Sequence, residues 1–418
     1  MLVANRLPVM PLLLRYLFLW LLLLKGGSVL GQPAAGTLPP PQLDLNQLGK
    51  RWFGISMASG ADSLATTKPQ WAVLPSLNVS PATGVAVGGI LTTAFYSKQS
   101  PRTRLSTAGI YAGYSQFNQV LVSSLSNIWT RQYRYHLQGD WRFYNFPTTT
   151  FGLGGRTQLA NASEVNYSHI RFYQSIYRAV GKDYLVGAGY LLDRHFSIEN
   201  QAPDGLPTDF DRYGKTAQST SSGLMVGLLR DRRNNPNNPV GGSYLLAQYR
   251  VYDQRLGSTV QYQALWLDYR RYVPVGRRGS KQLAFWVFNW ATFNGLAPYL
   301  DLPATGWDTQ NNTARGYTLG RLRGPSYHYA EAEYRTRLTA NGLVGAVLFA
   351  NVQAIGPWPE AGPPGLATTA LLPLRTWPGV GGGLRLKVNK ATHTNLAIDY
   401  GLGAGGSQGV YFNLNEVF

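Results

Sequence analysis

From residue 70 onward the chain repeats one pattern. Segments of about ten to sixteen residues alternate apolar and polar side chains, and turn residues separate them. The clearest run is Arg131–Asn145. Gln132, Arg134, His136, Gln138, Asp140 and Arg142 fall on one face, and Tyr133, Tyr135, Leu137, Trp141 and Phe143 on the other. Period-two alternation of this length predicts a strand with one wet and one apolar side. Tyr329–Leu338 repeats it, with Tyr329, Glu331, Glu333, Arg335 and Arg337 opposite Ala330, Ala332, Tyr334, Thr336 and Leu338. Leu384–Asn389 does the same, with Arg385, Lys387 and Asn389 opposite Leu384, Leu386 and Val388.

A soluble sandwich would also alternate, but its strands would be shorter and its apolar face turned inward. Here the strands are long and aromatics recur along them, as in Phe285, Trp286, Phe288, Trp290 and Phe293. The expectation is an all-β fold, a transmembrane antiparallel β-barrel of about sixteen strands running from 70–80 to 409–418. No segment after the N-terminal apolar run could cross a bilayer as a helix, and a closed barrel is the other structure that leaves no backbone unpaired in lipid. Numbered back from the C-terminus, four long connections (145–164, 197–218, 295–326 and 355–378) fall on one side. Tight links such as Gly181-Lys182, Ala340-Asn341 and Asn389–Thr392 fall on the other. That is the asymmetry of outside loops and periplasmic turns.

The first 69 residues lack the pattern. Residues 1–31 read as a cleaved signal peptide. Arg6 and Arg15 are positive, Tyr16–Leu24 is apolar, and Val29 and Gly31 suit a cleavage site before Gln32. That apolar run of nine residues falls well short of the ~20 a spanning helix needs. Residues 32–69 form a proline-rich linker or N-terminal extension, too short for a core of its own, and the barrel takes 70–418.

Composition changes the picture in two places. Zero cysteine excludes disulfides, thiol nucleophiles, thiolate metal sites and a lipidated N-terminal cysteine. A net charge of +18 would ordinarily raise nucleic acid as a partner. An exported chain meets no chromosome, so the charge points instead to anionic lipid head groups, to a lumen, or to nothing specific.

The stretch Ala314–Gly324, ARGYTLGRLRG, stands at the tip of the long segment from Leu296 to Pro325. Loops of this length are functional or disordered. A basic tip punctuated by Gly316, Gly320 and Gly324 suits either a solvated excursion or a plug folded back onto a partner. Asp231–Ser243 (DRRNNPNNPVGGS) is a turn cluster on the short-turn side. The last ten residues, GVYFNLNEVF, read as a terminal strand with Val410, Phe412, Leu414 and Phe418 on one face and Glu416 as an exception.

Three of these stretches together resemble the BamA/TamA (bacterial surface antigen) family of outer-membrane proteins. DRRNNPNNPVGGSY is similar to its strand-turn-strand signature, and RGY in a long loop to the arginine-glycine-aromatic motif of its sixth outside loop. GLRLKVNKATHTNLAIDYGLG with the terminal YFNLNEVF is similar to its C-terminal signature. The resemblance covers residues 70–418 and implies a sixteen-stranded barrel whose sixth loop folds into the lumen. It implies that Arg315, with Gly316 and Tyr317, pairs with acidic residues of the inner wall. Glu333 in AEYR matches one such acid. Asn351 stands where the family's second acid falls, which implies a weaker lock unless Glu331 compensates. Phe412, Leu414 and Phe418 match the terminal strand signal. Family members carry periplasmic POTRA domains, and residues 32–69 cannot hold even one, so the resemblance is to a barrel-only member.

Nothing in the chain spells an enzyme. His136, His169, His195, His328 and His393 form no HExxH and flank no GxSxG elbow. Asp193 and His195 would face one side of a strand end, which suits a polar pair better than half of a catalytic one. Asp204, Asp209 and Asp211 lack calcium-loop spacing, and Gly379–Gly383 (GVGGG) reads as a glycine-thinned strand start rather than a phosphate loop. The expectation is no enzyme, no cofactor and no metal. The expected role is assembly, insertion or translocation of proteins or envelope components at the bacterial outer membrane, with outer-membrane lipids and other outer-membrane or periplasmic proteins as partners. The alternative is a passive pore favouring anions, its lumen lined by Arg134, Arg335, Arg337, Arg385 and Lys387.

Overall fold

The computed structural model describes residues 42–45, 47–48, 69–80, 83–97, 104–181, 183–201, 208–236, 238–276, 281–356, 375–390 and 393–418. The leader expected over 1–31, and most of the 32–69 extension, lie outside the described residues. The first half of the sheet is β1 (Gln70–Ser80), β2 (Gly84–Tyr96), β3 (Leu105–Ser115), β4 (Val120–Trp129), β5 (Tyr135–Asn145), β6 (Thr148–Thr150), β7 (Ser163–Ala179), β8 (Tyr184–Gln201) and β9 (Gln218–Asp231). The second is β10 (Gly242–Tyr252), β11 (Tyr262–Val275), β12 (Lys281–Phe293), β13 (Ser326–Arg337), β14 (Val344–Ile355), β15 (Arg375–Asn389), β16 (Thr394–Gly403) and β17 (Gln408–Leu414).

Each strand pairs antiparallel with its sequence neighbour, as in Tyr184↔Arg230 between β8 and β9 and Glu331↔Asn351 between β13 and β14. The three-residue β6 extends β5, since both lie along β7. The wall therefore has sixteen positions, in line with the alternation of the sequence. β1 and β17 come alongside each other with Cα atoms within 8 Å, which brings the two ends of the sheet together.

The pleat turns the polar set inward and the apolar set out. On β5, Trp141 and Phe143 are 46% and 41% exposed, whereas His136 and Arg142 between the same strands' inner faces are buried. Leu348 on β14 and Val226 on β9 are 64% and 58% exposed. Apolar exposure of this extent on strand after strand around the sheet is a lipid-facing band. On β8 it runs Tyr184, Val186, Ala188, Tyr190, Leu192 and ends at Arg194. Ten steps of about 3.3 Å on a strand tilted by about 40° span about 25 Å, the height of such a band.

Two details depart from the sequence expectation and one adds to it. β5 begins at Tyr135, because Arg131–Tyr133 form a tight single turn with Gln132 and Tyr133 at positive φ. The aromatics of β12 do not share one face: Phe285 is lipid-facing, but Trp286 and Phe288 are fully buried inside. And β17 stops at Leu414. Asn415 takes φ 74°, so Glu416, Val417 and Phe418 leave the strand and turn into the barrel, all of them buried. A residue expected on the outer face of the terminal strand, Phe418, is thus an inner residue, resting against Trp286 with ring centroids 5.2 Å apart.

The lumen is filled. The 294–325 segment between β12 and β13 folds inward, and most of its residues from Ala297 to Gly324 are buried. The segment between β5 and β7 joins it, through Gly154 N–H to the Arg323 carbonyl at 2.8 Å. Outside, a single helical turn, α1 (Asp209–Gly214), is capped by Thr208 in a reciprocal capping box with Asp211.

Candidate functional site

The registers of β13–β17 lay out the seat for the loop tip. One row across the inner wall reads Glu331, Asn351, Gly379, Gly403. The next reads Glu333, Phe349, Gly381, Gly401, Gly409, and the third reads Arg335, Val347, Gly383, Asp399, Tyr411. Glu331 and Glu333 stand at the β13 end of this surface, Asp399 on β16, and glycines leave bare backbone on β15 and β16. The glycine run is therefore the middle of β15 rather than its start, and a Cβ there would strike neighbouring side chains, the Phe349 ring for Gly381 and Asp399 Oδ1 for Gly383. The glycines of β16 clear the loop tip. A Cβ on Gly401 would sit 2.6 Å from the Gly316 nitrogen, and one on Gly403 2.6 Å from the Tyr317 ring.

The tip occupies that seat. Gly316 has φ 106° and its Cα side abuts the Leu402 carbonyl, a conformation and a fit open to glycine alone. Tyr411 on β17 accepts from Gly316 N–H at 2.9 Å and donates to the Tyr317 carbonyl at 2.9 Å. Tyr317 Oη donates to the Pro378 carbonyl at 2.5 Å and accepts from Ala404 N–H at 2.8 Å. From this anchored backbone the Arg315 side chain runs back over the Phe349 ring, 3.8 Å from its centroid. Its Nη2 donates to Glu331 and to Glu333, and its Nη1 to Asp399 Oδ2 at 2.6 Å. All four side chains are buried. Burial alone would penalise the Arg315 cation, but the carboxylates of Glu331, Glu333 and Asp399 hold its pKa well above the usual guanidinium value.

The network extends to the C-terminus. Arg335 donates to Glu333 at 2.6 Å and to the Phe418 carbonyl oxygen at 3.0 Å. Arg385 joins Asp399 at 2.6 Å to Glu416 at 2.7 Å, and Asn395 donates to Glu416 at 2.7 Å. Asn312 of the loop donates to the Val417 carbonyl at 2.8 Å. Three arginines thus face four carboxylates in one buried lattice that ties loop, wall and chain end together.

The loop is held elsewhere too. Arg321 reaches Thr157 and lies 4.7 Å over the Trp377 ring, and Arg323 binds the Tyr299 and Leu300 carbonyls. At the loop root, Asp301 accepts from Ser221 Oγ at 2.6 Å and lies 3.6 Å from His195. Burial and the nearby Asp193 push its carboxyl up to about 8, against the opposing pull of Ser221, Arg171 and Arg323. Asp193 holds His169 at 2.8 Å and Arg171 at 2.9 Å, and the His169 and His195 rings stack at 4.3 Å. Asp193 and His195 do face the same side, but as members of a buried network. The cavity beside them is only ≈ 20 Å³, room for about one water.

Of the residues singled out from the sequence, Arg315, Gly316, Tyr317, Glu331, Glu333 and Asn351 meet at one place. Asn351 forms no carboxylate contact with Arg315 but donates to its carbonyl at 3.0 Å. Glu331 takes the place of the second acid on Arg315, and a third carboxylate comes from Asp399, on β16 rather than β14. Its signal was there: Asp399 is the one charge on the inward face of NLAIDYGLG. Tyr411 and Glu416 were equally unforeseen. Phe412 and Leu414 lie on the outer side of β17, apart from the seat. Of the five cations expected to line an open lumen, Arg335 and Arg385 are ion-paired, and Arg134 and Arg337 lie exposed beyond the inner wall or at its edge. Among the described residues no group of three or more His, Asp or Glu is arranged to hold a metal ion.

An antiparallel meander with a lipid-facing outer surface, a polar inner wall and its longest loop seated inside defines a transmembrane β-barrel of the bacterial outer membrane. Residues 106–418 match the Omp85 superfamily domain, and the chain belongs to that superfamily. In fold it is similar to BamA from Haemophilus ducreyi lacking POTRA domains 1-3, at 13% identity and TM-score 0.52, over 83% of this chain and 70% of that one. It is similar also to CdiB from Escherichia coli, at 13% identity and TM-score 0.53, over 83% of this chain and 63% of that one. CdiB from Acinetobacter baumannii follows at 12% identity and TM-score 0.50, over 83% and 65%. The chain thus matches less than two thirds of either CdiB. A sequence search among curated proteins finds no match.

Proposed function

We propose that this barrel helps to insert, assemble or translocate other polypeptides or envelope components at the outer membrane, without enzymatic chemistry. Delivery by the leader over residues 1–31 belongs to the same reading. One observation carries it: the loop tip is bonded both to the acidic wall of β13 and, through Tyr411, to the last strand, β17. The strand that meets β1 is therefore mechanically linked to the plug. A client strand adding at that edge would act by β-augmentation, with the plug responding. Membership of the Omp85 superfamily and likeness to BamA and CdiB barrels support the reading. The passive anion pore has less support, because two of its five cations, Arg335 and Arg385, are neutralised by Glu333, Asp399 and Glu416.

The test is depletion of the protein while the outer-membrane inventory is followed over several generations. A selective fall in some barrels or surface proteins, with transcripts unchanged, is the expected result. An unchanged inventory would sink the assembly role.

A further inference from the structure

The lipid-facing surface is not electrically uniform. Arg178, Arg230 and Lys281 stand at the short-turn ends of β7, β9 and β12, and Arg271 four residues before that of β11. Each lies on the outward parity of its strand. Ile176 is 49% exposed on β7, Val226 58% on β9, Leu265 46% on β11 and Val287 39% on β12. The four cations thus lie at the short-turn margin of the apolar band, with Val180 and Val275 just beyond Arg178 and Arg271, and stand on the side away from the lumen. No carboxylate pairs with any of them among the described residues, and the nearby Asp183 is engaged by Arg232 at 3.7 Å. The Arg230 Nε is buried without a hydrogen-bond partner, while its guanidinium lies 5.2 Å over the half-exposed ring of Tyr184, its cross-strand neighbour. Aromatic rings and basic groups together at this depth mark the water–lipid boundary. Among the described residues the outward positions within β13–β17 hold no Lys or Arg, and near the short turns they include Leu338, Leu386, Phe412 and Leu414. Lys390, just past β15, donates to the Gln42 carbonyl.

We infer that β7–β12 form a binding arc for the phosphates of anionic phospholipids in the leaflet beside the short turns. A guanidinium or ammonium at the end of an apolar strand meets a phosphodiester at its own depth, and guanidiniums bind phosphate through forked hydrogen bonds. An acidic soluble protein would instead require cations aimed into the mouth or into water. In a sequential barrel of sixteen wall positions β9 lies half the circumference from the β1/β17 junction. The lipid grip therefore holds the back wall and leaves the junction free to move. This inference rests on the barrel standing in a bilayer and is independent of what the barrel does there.

The experiment reconstitutes the full chain in phosphatidylethanolamine bilayers containing a minority of phosphatidylglycerol. Spin-labelled phosphatidylglycerol and phosphatidylcholine report which lipid is immobilised at the protein. The expected preference for phosphatidylglycerol is about threefold or more at low salt, as charge attraction at a membrane surface predicts. It should approach unity when Arg178, Arg230, Arg271 and Lys281 are all changed to Gln. It should survive a set with the three arginines changed to Lys, and a control set in which Arg194, Arg212 and Arg255, away from these turns, become Gln. No preference in the natural protein, or an undiminished one in the four-fold Gln variant, overturns the inference, and the second outcome returns the arc to a protein partner. Loss of the preference to inorganic phosphate, but not to sodium chloride of equal ionic strength, overturns it in favour of a free-anion site. Should the four-fold variant fail to fold, Arg230→Gln and Arg178→Gln read singly must each lower the preference.

Discussion

Arg315 is a buried cation facing three carboxylates, and its removal would leave those charges unpaired in the interior. Breaking a buried pair from one side costs about 3–5 kcal/mol. Arg315→Ala is therefore expected to lower the temperature at which the folded band converts to the unfolded one in a heated-gel assay. Arg315→Lys should restore only part of the loss, since one ammonium cannot fork between Glu331, Glu333 and Asp399 from a fixed plane. An unchanged transition in the alanine variant would show that the lattice does not hold the fold. At this scale the sequence was legible where partners lie in one motif or one strand. Arg315, Glu331 and Glu333 could be found that way. Asp399 could not be assigned to Arg315, because 84 residues separate them and only the β13–β16 registers bring them together.

Among the elements, β17 and its tail behave least as the alternation predicts. The outward set Val410, Phe412, Leu414 continues in the sequence toward Glu416, but a carboxylate on that face would enter lipid unpaired, at high cost. Turning at Asn415 moves Glu416 to Arg385 and Asn395 instead. The tail then becomes part of the plug's mooring through Asn312 and Arg335. Deleting Glu416–Phe418 from refolded protein is expected to leave the barrel strands paired yet make the loop cleavable by trypsin, at Arg315, Arg321 or Arg323. Equal cleavage rates with and without the tail would mean that the loop is held by its own contacts alone. The glycine run of β15 makes a related point. Its composition suggested a weakened strand, while its place beside Asn351, Phe349 and Asp399, which fill the space a Cβ would need, shows why side chains are missing there.

For the whole molecule, the consequence of a seated loop is a closed lumen. In planar bilayers the natural protein should conduct rarely, and Arg315→Ala should raise both the frequency and the size of openings. A large steady conductance in the natural protein would contradict a filled barrel and revive the pore reading. Identical records for the two would separate the loop from any gating.

Alternation by itself determined that this is an all-β membrane barrel with about sixteen wall positions, which side bears the long loops, and which residues face lipid. Those are local properties: a side chain's face follows from its parity along the strand, and the length of a connection from its residue count. The chain also showed by its motifs where the loop tip and one of its acidic partners lie. Only the tertiary structure decided that the third carboxylate comes from β16, that glycines clear the seat, that the C-terminus turns inward, and that the unpaired cations gather on one arc of the outer wall. Each of these depends on strands far apart in sequence standing at a particular height beside one another, and cross-strand register is a quantity that no single strand's pattern contains.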